Sequence, residues 1–165
     1  MVFFIPKFTY IKNRILSFFN PNDGTHNFQS DKAIDAISSG GYFGKGIGEG
    51  TLKNRVPEAH TDYIISVIAE EFGVVAIVLL LILFLFFIYT VFQKIYLENN
   101  EKIKLVLTGT ICLIIFQALI HIGVNIRLFP TTGMTLPFLS YGGSSIVGVS
   151  ILSGIILNLT KRKID

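Results

Sequence analysis

A chain of 165 residues that is 51% hydrophobic and only 15% charged lacks the charge of a water-soluble surface, which is usually about a quarter of the residues. Its single cysteine excludes a disulfide framework or a thiolate metal site, and a net charge of +3 with no tryptophan gives no reason to expect a nucleic-acid partner. The apolar residues fall in long runs rather than at a 2- or 3.6-residue period, so the chain reads as an all-α integral membrane protein.

In chain order, Met1 to Lys7 is too short an apolar stretch for a signal peptide, and Pro6 interrupts it. Residues 8–19 read as an amphipathic helix lying in the membrane interface, with Ile11, Ile15, Phe18 and Phe19 opposite Lys12, Asn13 and Arg14. Residues 20–60 are polar and Gly-rich, with a helix expected at about 30–39, capped by Ser30 or Asp31 and stopped by Gly40-Gly41. GKGIGEG at 44–50 has the wrong spacing for a dinucleotide fingerprint, and Lys45 is followed by Gly rather than the Ser or Thr of a P-loop. It reads as a flexible turn.

Spanning helices, which need about 20 apolar residues, are expected at about 72–92, 105–129 and 137–159. The chain thus divides into a loop region with interfacial and short helices (1–71) and a three-helix transmembrane region (72–165). Lys94, Lys102 and Lys104 in one connection, and Lys161, Arg162 and Lys163 in the tail, place those segments in the cytoplasm by the positive-inside rule. The loop 127–138, with only Arg127, and the long segment 1–60 are then outside.

The densest polar cluster precedes the first span: Glu58, His60, Thr61 and Asp62, with Glu70 and Glu71 two turns on. Thr61 or Asp62 could serve only as a helix N-cap. A carboxylate at the surface, however, can also act as general base towards a sugar hydroxyl of a lipid-linked substrate. Gln117, His121 and Asn125 recur every four residues and share one stripe, which must face other helices or a wet cavity. Ser140, Ser144 and Gly148 repeat small residues and read as close helix packing. Ser144 with His121 evokes an intramembrane protease, but Gly142-Gly143-Ser144-Ser145 is not a GxSxG elbow, and no HExxH is present.

VPEAHTDYIISVIAEEFG (56–73) and LFPTTGMTLPFLSYGGSSIVGVSILSGIILNL (128–159) resemble the two hallmark stretches of the bacterial SEDS family. These are the shape, elongation, division and sporulation proteins of the FtsW/RodA/SpoVE group. GEGTLKN at 48–54 and GMTLPF at 133–138 are more similar to the division branch than to the elongation branch. The resemblance covers the last three of about ten spans and the large extracytoplasmic loop before them. It implies a peptidoglycan glycosyltransferase of the bacterial cytoplasmic membrane that polymerises lipid II into glycan strands during division. By the resemblance Asp62 is the general base for the acceptor 4-hydroxyl. Glu58, His60, Thr61 and Glu71 then bind substrate, with Pro130, Gly133, Pro137, Ser140, Tyr141, Gly142, Gly143 and Ser144 on the loop that closes over the site. Implied partners are lipid II, membrane lipids, a class B penicillin-binding protein transpeptidase and other division proteins. No cofactor is named with certainty, and a divalent cation is left open. The alternatives are a lipid II flippase and a non-catalytic remnant or partner-binding fragment.

Overall fold

The computed structural model describes residues 26–56 and 59–161, and every regular element among them is a helix: α1 (His26–Gly40), α2 (Leu52–Arg55), α3 (Ile64–Leu97), α4 (Glu101–Asn125) and α5 (Gly143–Thr160). The interfacial helix expected over 8–19, Pro57-Glu58 and the last four residues lie outside the described residues.

Among the described residues, α3, α4 and α5 are long and apolar enough to cross a membrane. Much of their surface is apolar and outward-facing, as at Leu79, Ile82, Leu85, Phe86, Leu113 and Ile151; a lipid-facing surface needs no polar coat. At 34 residues α3 would run about 50 Å, well beyond a hydrocarbon core of about 30 Å. It is not one straight rod: Gly73 breaks it, with φ 80° and ψ −179°. Ser66, Glu70 and Glu71 lie before the break and the uncharged run after it.

α4 is capped by Asn100, whose side chain accepts from Lys102 N. It ends four residues short of the expected Phe129, in a Schellman turn: Arg127 takes φ 59°, Arg127 N donates to Val124 O, and Leu128 N donates to Gly123 O. A Cβ at Gly123 would stand 2.3 Å from the Phe129 ring, so the ring folds back over the helix end where the glycine leaves room. α5 begins at Gly143 rather than Pro137, since Phe138 takes φ 68° and residues 136–140 close a tight turn. α1 begins before Ser30, so neither Ser30 nor Asp31 caps it. Instead Ser30 Oγ contacts Tyr63 Oη, and Asp31 pairs with Arg127.

Three apolar clusters stack along the bundle. Val91, Leu107, Ile111, Ile114 and Ile156 join α3, α4 and α5 at one end. Ile65, Ala118 and Leu136 form the middle cluster. Ala33, Ala36, Leu52, Val56, Ala59, Tyr63, Val67 and Val124 join α1 and α2 to the other end of α3 and α4. This last cluster carries the turn 59–63 on top of the spanning helices.

Candidate functional site

The break at Gly73 leaves four backbone groups without helical partners, and the Gly-rich segment after α1 supplies all of them. Lys45 N donates to Glu70 O (2.9 Å) and Gly46 N to Glu71 O (3.1 Å), while Val74 N and Val75 N donate to Gly41 O (3.0 Å) and Tyr42 O (3.3 Å). The segment is spliced into the helix and is not the free turn that its composition suggests. Side chains follow the same path. Glu70, fully buried, accepts from Lys45 Nζ (2.9 Å), Thr51 Oγ1 (3.0 Å) and Leu52 N (2.9 Å). The carboxylate therefore neutralises a lysine and receives the first amide of α2. Glu71 pairs with Lys53 Nζ at 3.2 Å.

The turn 59–63 is held from three directions. α3 is capped by Tyr63 without a side-chain bond, so neither Thr61 nor Asp62 is an N-cap. From α4, Asn125 Nδ2 donates to Asp62 O (3.0 Å), and its Oδ1 accepts from Ser66 Oγ (2.8 Å) and Ser66 N (3.2 Å). His121 Nε2 lies 3.3 Å from Thr61 O, and Nδ1 lies 3.3 Å from Asn125 Nδ2. One tautomer, with the proton on Nε2, satisfies both contacts. From the loop before α5, Ser140 Oγ donates to Thr61 O (2.8 Å) and accepts from Leu136 N (2.8 Å), and Tyr141 N donates to His60 O (3.2 Å). The carbonyls of His60, Thr61 and Asp62 are thus each claimed by a different side chain or amide. Asp62 is 8% exposed, and a methyl on Gly133 would stand 3.9 Å from its Oδ2.

The stripe on α4 faces inward as expected, towards these loops. Gln117 Nε2 bonds Thr135 O (2.9 Å) and Ser145 Oγ (3.1 Å), with Thr135 and Ser145 bonded to each other. Residues 130–142 reach deep. The Phe138 ring packs on Phe84 and Phe87, at centroid distances of 6.4 and 6.0 Å, which lie roughly 16 and 21 Å beyond Gly73 at 1.5 Å per residue. Non-helical backbone at that depth has to be lined by protein, and Gln117, Ser140 and Ser145 provide the polar lining. Between α4 and α5 a groove of about 510 Å³ runs from Gly133, Thr135 and Ser144 to Phe116 and Leu152. Among the described residues Gly148 makes no packing contact, since a Cβ there meets nothing within 4 Å.

The structure gathers Thr61, Asp62, Gly133, Ser140 and the backbone of His60 and Tyr141 around one turn, while Pro137 is buried in the loop before α5. Gly142 caps α5 and Gly143 opens it; Ser144 lines the groove. Pro130 sits in the connection after α4, while Glu71 is engaged with Lys53 of α2. Glu58 lies outside the described residues. Among the described residues no three His, Cys, Asp or Glu side chains form a metal-binding group. Residues missed by sequence reasoning are Ser66, Thr135 and Ser145, and Lys45 and Thr51 around Glu70; none belongs to a periodic polar stripe.

This is a multi-pass membrane protein whose polar turn is clamped at one end of its spanning helices. It belongs to the FtsW/RodA/SpoVE family, described as cell cycle proteins, whose model matches residues 1–164. A protein of Caulobacter vibrioides named "Probable peptidoglycan glycosyltransferase FtsW" is 40% identical over 156 residues, covering 94% of this chain and 40% of that protein. One of the same name from Enterococcus hirae is 38% identical over 160 residues, covering 95% and 40%. The chain therefore spans about two fifths of the length of these relatives. A solved chain, from work on the structural coordination of polymerization and crosslinking by a peptidoglycan synthase complex, superposes with a TM-score of 0.72 at 29% identity, over 98% of this chain and 44% of that one.

Proposed function

We propose that this chain carries the catalytic turn of a septal peptidoglycan glycosyltransferase that polymerises lipid II, with Asp62 as general base. The observation that carries the reading is the clamped turn itself: a carboxylate, 8% exposed beside Gly133, on a backbone fixed by Asn125, Ser140 and Tyr141. The names of the relatives support the reaction class.

In this reading the Asp62 carboxylate removes the proton of the acceptor 4-hydroxyl as that oxygen attacks the donor's anomeric carbon. The bond to the lipid pyrophosphate breaks with its electron pair, the configuration inverts, and the proton passes from Asp62 to solvent. His60, Thr61 and Glu58 shape the acceptor side. The loop before α5, with Pro130, Gly133, Pro137, Ser140, Tyr141 and the Gly142-Gly143 pair at its junction with the helix, closes over the sugar; Glu71 acts from α3, just before the break. The turn faces the outside of the cytoplasmic membrane and the tail faces the cytoplasm, as the Lys and Arg distribution supports. The partner is a class B penicillin-binding protein transpeptidase, with other division proteins.

The test is glycan synthesis from lipid II in proteoliposomes. It is run with the chain alone and with the chain plus the part of the Caulobacter relative that lies outside the match. Asp62→Asn should lower polymerisation by about 10²–10⁴-fold, the usual worth of general-base catalysis, while the helical circular dichroism is retained. Unchanged polymer in the variant would remove Asp62 from the role of base. Movement of lipid II across the vesicle membrane that ignores Asp62, without polymer, would favour the flippase reading.

A further inference from the structure

The splice at Gly73 has an outer side. Tyr42, Phe43 and Ile47, all on the spliced segment, are 77%, 86% and 80% exposed, although Gly41 and Tyr42 are tied by backbone bonds to Val74 and Val75. Those bonds fix the level of the segment at the first turn after Gly73, where the uncharged run of α3 begins. Val74, Val75, Val78 and Leu79, on the adjoining turns, are themselves exposed and apolar. The patch is therefore continuous with the lipid-facing surface of a spanning helix. The one lysine at the tip, Lys45, turns back to Glu70 and leaves the aromatic and aliphatic side chains to face outward. Aromatic side chains with one polar handle settle where acyl chains meet headgroups.

We propose that residues 42–47 are a membrane-interface anchor, with Tyr42, Phe43 and Ile47 inserted among the lipid carbonyls of the leaflet in which the α3 span begins. Because the same segment completes the helix break and holds Glu70, the anchor fixes the height of the break, and of the 59–63 turn one helical segment away, relative to the bilayer surface.

The chain has no tryptophan, so Phe43→Trp introduces a single fluorophore. The full chain, reconstituted in phosphatidylcholine vesicles, should emit to the blue of a solvated indole. Lipids brominated near the glycerol should quench it more than lipids brominated near the chain terminus, and aqueous iodide should have little effect. Ile47→Trp, a second probe, should behave alike. Red-shifted emission quenched by iodide would place the segment in water and overturn the proposal. So would blue-shifted emission indifferent to both brominated lipids, because protein would then cover the patch.

Discussion

Asn125 is the residue on which the 59–63 turn depends most. Its amide is fully buried, bonds Ser66 through the oxygen, and bonds the carbonyls of Asp62 and His121 through the nitrogen. Asn125→Ala removes the bonds made to the Ser66 hydroxyl and amide and to the Asp62 carbonyl, a cost of about 1–3 kcal/mol that should be read as reduced resistance to unfolding in bicelles. The same variant loosens Asp62 without touching its carboxylate, so polymerisation should fall even at temperatures where the chain stays folded. A fall in stability without any change at the turn, measured as solvent exchange of the Ser66 amide, would contradict this assignment. The inward face of the 117–121–125 stripe was legible from spacing alone, because lipid cannot satisfy three polar groups in a row. Its partners were not, because Thr61, Asp62 and Thr135 sit in irregular loops whose positions no periodicity encodes.

At the scale of elements, the break in α3 decides the geometry of the site end. Gly73 occupies a backbone region that is essentially closed to other residues, and a Cβ there would lie 2.3 Å from Tyr42 O. Gly73→Ala should therefore cost more than about 2 kcal/mol in thermal unfolding. Gly109 lies in the body of α4 with open space around it; Gly109→Ala should be neutral or stabilise by about 0.4–1 kcal/mol. Equal effects at the two glycines would argue against the splice. The sequence around the break, Glu70-Glu71-Phe72-Gly73-Val74, carries no mark of interruption beyond the glycine itself. Helical reading passes straight through it, and the partner segment lies some thirty residues earlier. The third span was misread for the opposite reason: Pro137 to Gly142 is as apolar and small as a helix start, but Phe138 adopts a left-handed φ and defers the helix to Gly143.

For the whole molecule, the three spans were the most legible feature, since uncharged runs of that length have few other uses. Their orientation is open to direct measurement on a Cys112→Ser background. Thr132→Cys, in the α4–α5 connection, should react with a membrane-impermeant maleimide in intact cells. Asn99→Cys, in the α3–α4 connection, should react only after permeabilisation, and the reverse pattern would invert the proposed topology. The family model matches residues 1–164, but the resemblance is legible in two stretches, 56–73 and 128–159, and these include the clamped turn and the loop that packs against it. Between them α4 differs in kind: apart from its polar stripe, it is a generic apolar helix.

The splice at Gly73 also bears on the order of assembly. Residues 41–46 are synthesised before α3, yet the native partners of Gly41 O, Tyr42 O, Lys45 N and Gly46 N do not exist until α3 is made. A newly inserted α3 can close its own ladder, with Val74 and Val75 bonded to Glu70 and Glu71 in the ordinary helical way. Arrival of the earlier segment then replaces those two bonds with four, so the step is an exchange of partners in which no amide waits unbonded in hydrocarbon. The membrane helix is thus completed by a piece of chain that was made before it.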